Sequence, residues 1–485
     1  MPPRRWGSRA GRSVRRACLR CSFAKASESV NDQVIPPREP SAKAALPVRD
    51  KSGASLGDDE GNPSEMGVPS LRRIVVATFL GQVSEWYDYG IYALAAAQIG
   101  AHFFPSGDPG ASLLAALAVF GVAFLARPIG GIIIGSLGDR IGRKSVLVYS
   151  LALMTIATMA VGLLPGAETI GLLAPVLLVF ARFLQGISAA GESTSAITFV
   201  AESVPPHRKG LFTATLLSGN SAGFLLAVFV VWILHETLGE AAFDDWSWRL
   251  AFLFALPIGF VGLYIRRNLQ ESPIFTKLRA DNLLSATPLR DTFTHGRVQL
   301  LQAIGLSALS FIANYLLVAY LPLHLKSLGF QAREISLIGM AATLTLLVSY
   351  PLMGALSDRT GRRPLLFGSC LFFLLLGWPL FGLIQAGSIL SAVLSTGLFA
   401  LSTAAFISCL GMYCTEYINK YRLMTTYSVG FNISAAIFGG SSLWVFQMLV
   451  RMTGEPRMPA AYLTVAAAIS LIALLTIRPS RTART

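Results

Sequence analysis

Gly135-Ser-Leu-Gly-Asp139-Arg140-Ile-Gly142-Arg143-Lys144 returns 219 residues further on as Gly354-Ala-Leu-Ser-Asp358-Arg359-Thr-Gly361-Arg362-Arg363. Two copies of G-x-L-x-D-R-x-G-R-[KR] in one chain point to a duplicated architecture rather than to chance. Each copy combines groups that make a latch. Glycines permit a tight reversal of the chain, and the carboxylate of Asp139 or Asp358 can face the partial positive charge of a helix N-terminus and bond to nearby guanidinium groups. Arg140, Arg143, Arg359 and Arg362 are read with those carboxylates as a cytoplasmic gate; the simpler role for the basic residues is to anchor orientation in a membrane. A nucleotide loop is excluded, because Gly138 to Ser145 has three residues between its glycines where a phosphate loop needs four, and Arg143 stands before Lys144.

Both copies sit between hydrophobic runs. Of 485 residues 53% are hydrophobic and 14% charged, with mean hydropathy +0.58, whereas a soluble domain carries about 25% charged residues. At about 20 apolar residues per crossing, twelve runs are read, near 74–98, 113–137, 145–164, 170–200, 211–234, 248–265, 298–323, 335–356, 364–384, 388–412, 425–449 and 460–477. The expected fold is therefore all-α and integral to the membrane: twelve transmembrane helices in two pseudo-symmetric six-helix bundles, over 71–265 and 298–478, joined by a cytoplasmic loop over 266–297. Parallel repeats of this sort occur in secondary transporters. Lys and Arg number 21 in the connections on one side and five on the other, which places both termini and the central loop in the cytoplasm. The same excess accounts for much of the net charge of +14 and makes a nucleic-acid partner a needless reading.

The ends carry less information. Residues 1–65 hold 12 Lys+Arg and 8 Asp+Glu with no sustained apolar period, so residues 1–70 are expected to form a disordered basic tail. The first 27 residues lack any acid, a bias shared with organelle transit peptides, while Met66, just ahead of the first run, reads as an alternative start. Residues 479–485 read as a short cytoplasmic tail. The five cysteines are scattered, and beyond Cys18-x-x-Cys21 none has zinc-like spacing, so neither a disulfide scaffold nor a metal site is expected.

The paired loops resemble the signature of the major facilitator superfamily, over about residues 70–480. Finer matches resemble its metabolite:proton symporter family: Glu85-Trp86-Tyr87-Asp88 in the first run, Ala126-Arg127-Pro128-Ile-Gly130 in the second, Arg182-x-x-Gln185-Gly186 through Gly191-Glu192 in the fourth, and Glu271-Ser-Pro-Ile-Phe275 after the sixth. The chain departs from that pattern where Ala190 precedes Gly191 and where Glu416 is followed by Tyr-Ile-Asn. The resemblance implies two bundles flanking a central cavity and proton-coupled uptake of a small polar metabolite, an organic acid or a zwitterion, by alternating access. It implies a plasma (inner) membrane location as well, or an organellar one if the tail is a transit peptide, and a monomer.

An ionisable side chain at mid-bilayer costs about 2.5–3.5 kcal/mol on insertion scales, so one that persists usually faces a cavity or a partner. In the first run Gly81, Glu85, Asp88 and Tyr92 share one helical stripe. A partly desolvated carboxylate there could carry a proton, with Asp88 the first choice and Glu85 the second; Glu192 joins them as a coupling candidate. Arg182, Gln185 and Glu192 share a stripe in the fourth run, with Arg182 and Glu192 about 15 Å apart by helix rise, so each needs another partner. Arg127 and Arg182 present forks suited to a carboxylate substrate; a structural pairing of Arg127 with Asp88 or Glu192 is the alternative. Gln185, Tyr315 and Asn432 complete the expected substrate contacts, with Asn314 and Tyr320 as further neutral groups.

The proton is the expected coupling ion, with no cofactor and no metal. No nucleophile paired with a base, zinc motif or phosphate loop appears in the sequence, so an enzyme is not expected. A proton-independent facilitator and a sugar porter of the same fold are the alternatives.

Overall fold

The structure is a computed structural model that describes residues 68–285 and 287–477. The readings made for the N-terminal tail, for Cys18 and Cys21, for Met66 and for residues 479–485 lie outside the described residues. Eleven helices are long and apolar enough to cross a membrane. They are α2 (Pro109–Ile141), α3 (Arg143–Leu163), α4 (Leu173–Ser203), α5 (Pro206–Leu238), α6 (Glu240–Arg267), α7 (Arg297–Ser327), α8 (Arg333–Thr360), α9 (Arg362–Ile384), α10 (Ile389–Tyr417), α11 (Lys420–Thr453) and α12 (Met458–Thr476). The twelfth, α1 (Val68–Leu94), has the required length at 27 residues. Gln82, Glu85 and Asp88 make it less apolar than the rest, and all three are buried inside the protein.

The paired signature shows why each hairpin turns so sharply. Gly142 and Gly361 take φ of 106° and 85°, a region closed to residues with a Cβ unless strained. One glycine therefore ends α2 and starts α3, and another separates α8 from α9. Asp108 accepts a bond from Gly110 N, at 2.9 Å, to begin α2, with Pro109 at the first helical position.

Packing repeats between the halves. In the first, α1 lies on α5 and α6, α4 on α2 and α3, and α3 on α6; in the second, α7 lies on α11 and α12, α10 on α8 and α9, and α9 on α12. The halves meet along α2 with α11 and α5 with α8. Small residues set the spacing: a Cβ at Gly130 of α2 would lie 2.7 Å from the backbone of Ile187 in α4. Two helices of the second half each contain a π-helical turn, Leu316–Tyr320 in α7 and Ala435–Gly439 in α11, a local widening that often marks functional sites.

The polar connection between the halves holds two short helices, Pro273–Ala280 and Pro288–His295. Its first basic residue does not behave as a loop cation. Arg266 belongs to the last turn of α6, is 0% exposed and is committed to a buried carboxylate.

Candidate functional site

A cavity of about 60 Å³ lies between the halves. The first half contributes Gln82, Glu85 and Trp86 of α1, Arg127 of α2, Ser193 of α4 and Asn220 of α5. Across from them stand Ser310, Phe311 and Asn314 of α7, Tyr350 of α8, and Tyr427 and Phe431 of α11. One ion pair borders this space: Arg127 Nη2 donates to Glu85 Oε1 at 2.6 Å and to the Tyr89 hydroxyl at 3.0 Å. Ser193 Oγ donates to the other Glu85 oxygen at 2.9 Å. The Arg127 guanidinium carbon also lies 5.5 Å from the centres of the Tyr89 and Phe124 rings, a distance at which ring quadrupoles attract a cation.

Behind that wall, away from the cavity, is a second cluster. Asp88 accepts from Arg182 Nη1 at 2.9 Å, from Gln185 Nε2 at 2.5 Å and from Thr158 Oγ1 at 2.8 Å. Arg182 is 0% exposed and lies 4.1 Å from the Tyr92 ring centre. A third pair joins α4 to α6: Arg266 donates through Nη1 to Glu192 Oε2 at 2.8 Å and through Nη2 to Glu192 Oε1. Arg266 also donates to the backbone carbonyls of Ala77 and Leu147. Breaking any such buried pair by removing one partner leaves an uncompensated charge.

At the basic end of the molecule the signature loops tie the two halves together. Asp139 accepts from the backbone N–H of Met424 and Thr425 and from Thr425 Oγ1, at 3.3, 2.8 and 2.7 Å. Asp358 accepts from Gly210 N and Leu211 N at 2.7 and 2.9 Å. Each carboxylate of one half thus caps a helix beginning in the other, α11 or α5, where the helix dipole favours negative charge. Arg143 sits 3.3 Å from Asp139 and 3.2 Å from Glu202; Arg362 sits 3.4 Å from Asp358 and 2.9 Å from Glu416. Glu416, where the sequence departs from the family pattern, therefore keeps a place in this latch. Arg140 and Arg359 are exposed.

The sequence-expected residues divide accordingly. Glu85 and Arg127 meet at the cavity. Arg127 pairs with neither Asp88 nor Glu192, the partners considered for it, because Glu85 is nearer on the face of α1 turned to α2. Arg182 and Gln185 are packed around Asp88 and do not line the cavity. Asn432 ties α11 to α4 by donating to the Ala190 carbonyl at 3.0 Å, and Tyr315 packs edge-on against Phe124, ring centres 5.6 Å apart. Trp86, Ser193, Asn220, Tyr350 and Tyr427 line the cavity without having been singled out. Trp86 and Ser193 adjoin Glu85 and Glu192 in the sequence, whereas no charged neighbour adjoins Asn220, Tyr350 or Tyr427.

Twelve membrane helices in two like halves, with a cavity between them, are the architecture of a membrane carrier. Residues 78–439 match the Major Facilitator Superfamily, and the chain belongs to that family. It is 38% identical over 412 residues to the glycine betaine/proline/ectoine/pipecolic acid transporter OusA of Dickeya dadantii, covering 83% of this chain and 82% of that one. It is 37% identical over 430 residues to the proline/betaine transporter of Escherichia coli K12, covering 84% and 83%. The fold matches that of the proton:xylose symporter XylE bound to 6-bromo-6-deoxy-D-glucose, with TM-score 0.69 and 16% identity over 84% of this chain and 95% of that one. It also matches the human organic anion transporter MFSD10, with TM-score 0.61 and 18% identity over 84% and 100%. The protein is a multi-pass membrane transporter for a small molecule.

Proposed function

We propose that this protein carries a small zwitterion, a carboxylate joined to an alkylated ammonium as in proline or betaine, into the cell together with a proton. The observation that carries the reading is the Glu85–Arg127 pair on the cavity wall. Among the described residues Arg127 is the one cation lining the cavity that a substrate carboxylate can reach, and Glu85 is bonded to it. Protonating Glu85 removes its charge and frees the Arg127 fork; the substrate carboxylate then takes its place. The proton enters on Glu85 and the substrate carboxylate on Arg127, and neither alone satisfies the site. Asp88, the first choice from sequence, is held by three donors behind the wall and serves to orient Arg182 and α4.

The basic end is the cytoplasmic one, with both termini there, and the membrane is the plasma membrane. The Asp139 and Asp358 caps then close the cytoplasmic side, and transport requires them to release α11 and α5 while the extracellular side closes. The proton is the coupling ion, with no other cofactor, and the unit is a monomer. A zwitterion moved with one proton carries one net charge inward, worth about 2.3 kcal/mol at 100 mV and therefore roughly 40-fold accumulation.

The test is uptake of labelled proline and betaine into proteoliposomes with an imposed inward proton gradient, for the parent and Glu85→Gln. The parent should concentrate at least one of the two, and a protonophore should abolish it. Glu85→Gln should lose accumulation yet keep exchange of internal for external substrate. Accumulation by Glu85→Gln equal to the parent, or uptake indifferent to the protonophore, would reject the reading.

A further inference from the structure

We infer that the groove between α1 and α6 at the basic end of the molecule binds one anionic phospholipid. The groove has a volume of about 550 Å³. Its two walls follow one pattern. Arg72, Arg73 and Val76 stand at i, i+1 and i+4 of α1, and Tyr264, Ile265 and Asn268 repeat those steps along α6 and just past its end. Because α1 begins where α6 ends, Arg72, Arg73 and Asn268 lie outermost, and Val76, Tyr264 and Ile265 lie a turn further in.

Charge selects the headgroup. No acid lines the groove, and Arg72 and Arg73 are exposed and paired with no carboxylate among the described residues, so two guanidinium forks are open to a phosphate. Asn268 adds a donor: one of its amide N–H groups bonds the Tyr264 carbonyl at 3.0 Å and the second remains for a ligand. The apolar surface selects the rest. Val76, Tyr264, Val261 and Phe260 are all exposed, and they run from the arginines toward the middle of the bilayer. A free phosphate has no use for such a surface, whereas a phospholipid lays an acyl chain on it, with Tyr264 at the headgroup depth where tyrosine is enriched. Between α7 and α12, the corresponding helices of the second half, Gln302 Nε2 donates to Thr476 Oγ1 at 3.3 Å across the gap, and α7 begins with a single cation, Arg297. Arg73 and Asn268 also line an adjoining cavity of about 150 Å³ with Gln270 and Glu271. The bound headgroup therefore adjoins the segment whose Glu271 accepts from Arg143 N and Lys144 N at the start of α3.

The experiment titrates the full chain in neutral-detergent micelles with dioctanoyl-phosphatidylglycerol, dioctanoyl-phosphatidylcholine and inorganic phosphate, and counts bound molecules by native mass spectrometry. The parent should retain one phosphatidylglycerol at a concentration about tenfold below that needed for phosphatidylcholine, and inorganic phosphate should not displace it. Arg72→Gln combined with Arg73→Gln should weaken phosphatidylglycerol binding by about tenfold or more. Lys277→Gln combined with Arg279→Gln removes the same charge from the same end and should change it by less than about twofold. All four positions are exposed, so neither double variant threatens the fold. No retained phosphatidylglycerol, equal retention of the two lipids, displacement by inorganic phosphate, or equal losses in the two double variants would overturn the site.

Discussion

At the basic end the two halves are near copies: Asp139, Arg143 and Glu202 in the first stand as Asp358, Arg362 and Glu416 do in the second, each triad capping a helix of its opposite number. Midway through the bilayer the likeness ends. Counted by the step from Asp139 to Asp358, Arg127 falls on Leu346; counted by the step from Glu202 to Glu416, Arg182 falls on Thr396, Gln185 on Phe399 and Glu192 on Phe406. The first half keeps three buried ion pairs, Arg127–Glu85, Arg182–Asp88 and Arg266–Glu192, where the second presents neutral and aromatic side chains. Duplication supplied one scaffold twice, and these buried charges stand in one copy only. The other copy lines the cavity with neutral and aromatic side chains.

Substitutions can break or sharpen that contrast. The largest effect is expected where a charge is orphaned: Arg182→Leu should destabilise the protein by about 3–5 kcal/mol, whereas Thr396→Val at the matching place in the second half should cost about 1 kcal/mol. Thermal unfolding of the two variants in detergent checks this, and equal losses would erase the distinction between the halves. Next comes the pair between α4 and α6. Glu192→Leu or Arg266→Leu alone should each cost about 3–5 kcal/mol, but the double variant should regain about half or more of the loss, since apolar replacement of a whole buried pair is often neutral. A double variant as unstable as the sum of the singles would mean that Arg266 acts chiefly through the Ala77 and Leu147 carbonyls.

A smaller difference separates the two latches. Asp139 and Arg143 are each 1% exposed, whereas the side chains of Arg362 and Glu416 are 17% and 37% exposed. Asp139→Asn should therefore favour the state opened at the basic end by about 2 kcal/mol and Asp358→Asn by about 1 kcal/mol, read as the change in distance populations between spin labels on α2 and α11. The reverse order would show that solvent exposure does not grade the two latches. The smallest effect belongs to Arg359→Ala, an exposed position, which should leave stability within about 0.5 kcal/mol and uptake unchanged.

What could be read from the sequence follows from how local the signal is. The twelve spans, the duplication and the capping role of Asp139 and Asp358 rest on composition and on one motif read in register, and the helix boundaries follow from the signature glycines. Pairing among buried charges is not local. Glu85 and Asp88 lie on one stripe of α1, yet a slight rotation sends Glu85 to Arg127 and Asp88 to Arg182, and nothing in spacing fixes that rotation. Arg266 was hidden by its neighbours: beside Arg267 and a polar stretch it looks like the start of a loop, and only the third dimension reveals Glu192 opposite. Trp86 and Tyr350 escaped notice because aromatic residues in membrane helices so often serve as interface anchors.

The connection between the halves is stitched down at both ends. Glu271 accepts from Arg143 N and Lys144 N at the start of α3, and Ser272 Oγ donates to Glu202, while Thr292 bonds Thr426 at 3.0 Å and Arg422 donates to the His295 carbonyl at 3.1 Å. Only the seven residues from 281 to 287 remain between the short helices, a leash that reaches at most about 25 Å fully drawn out. That length limits how far the two halves can part at the basic end, and lengthening it would move that limit without touching the cavity lining.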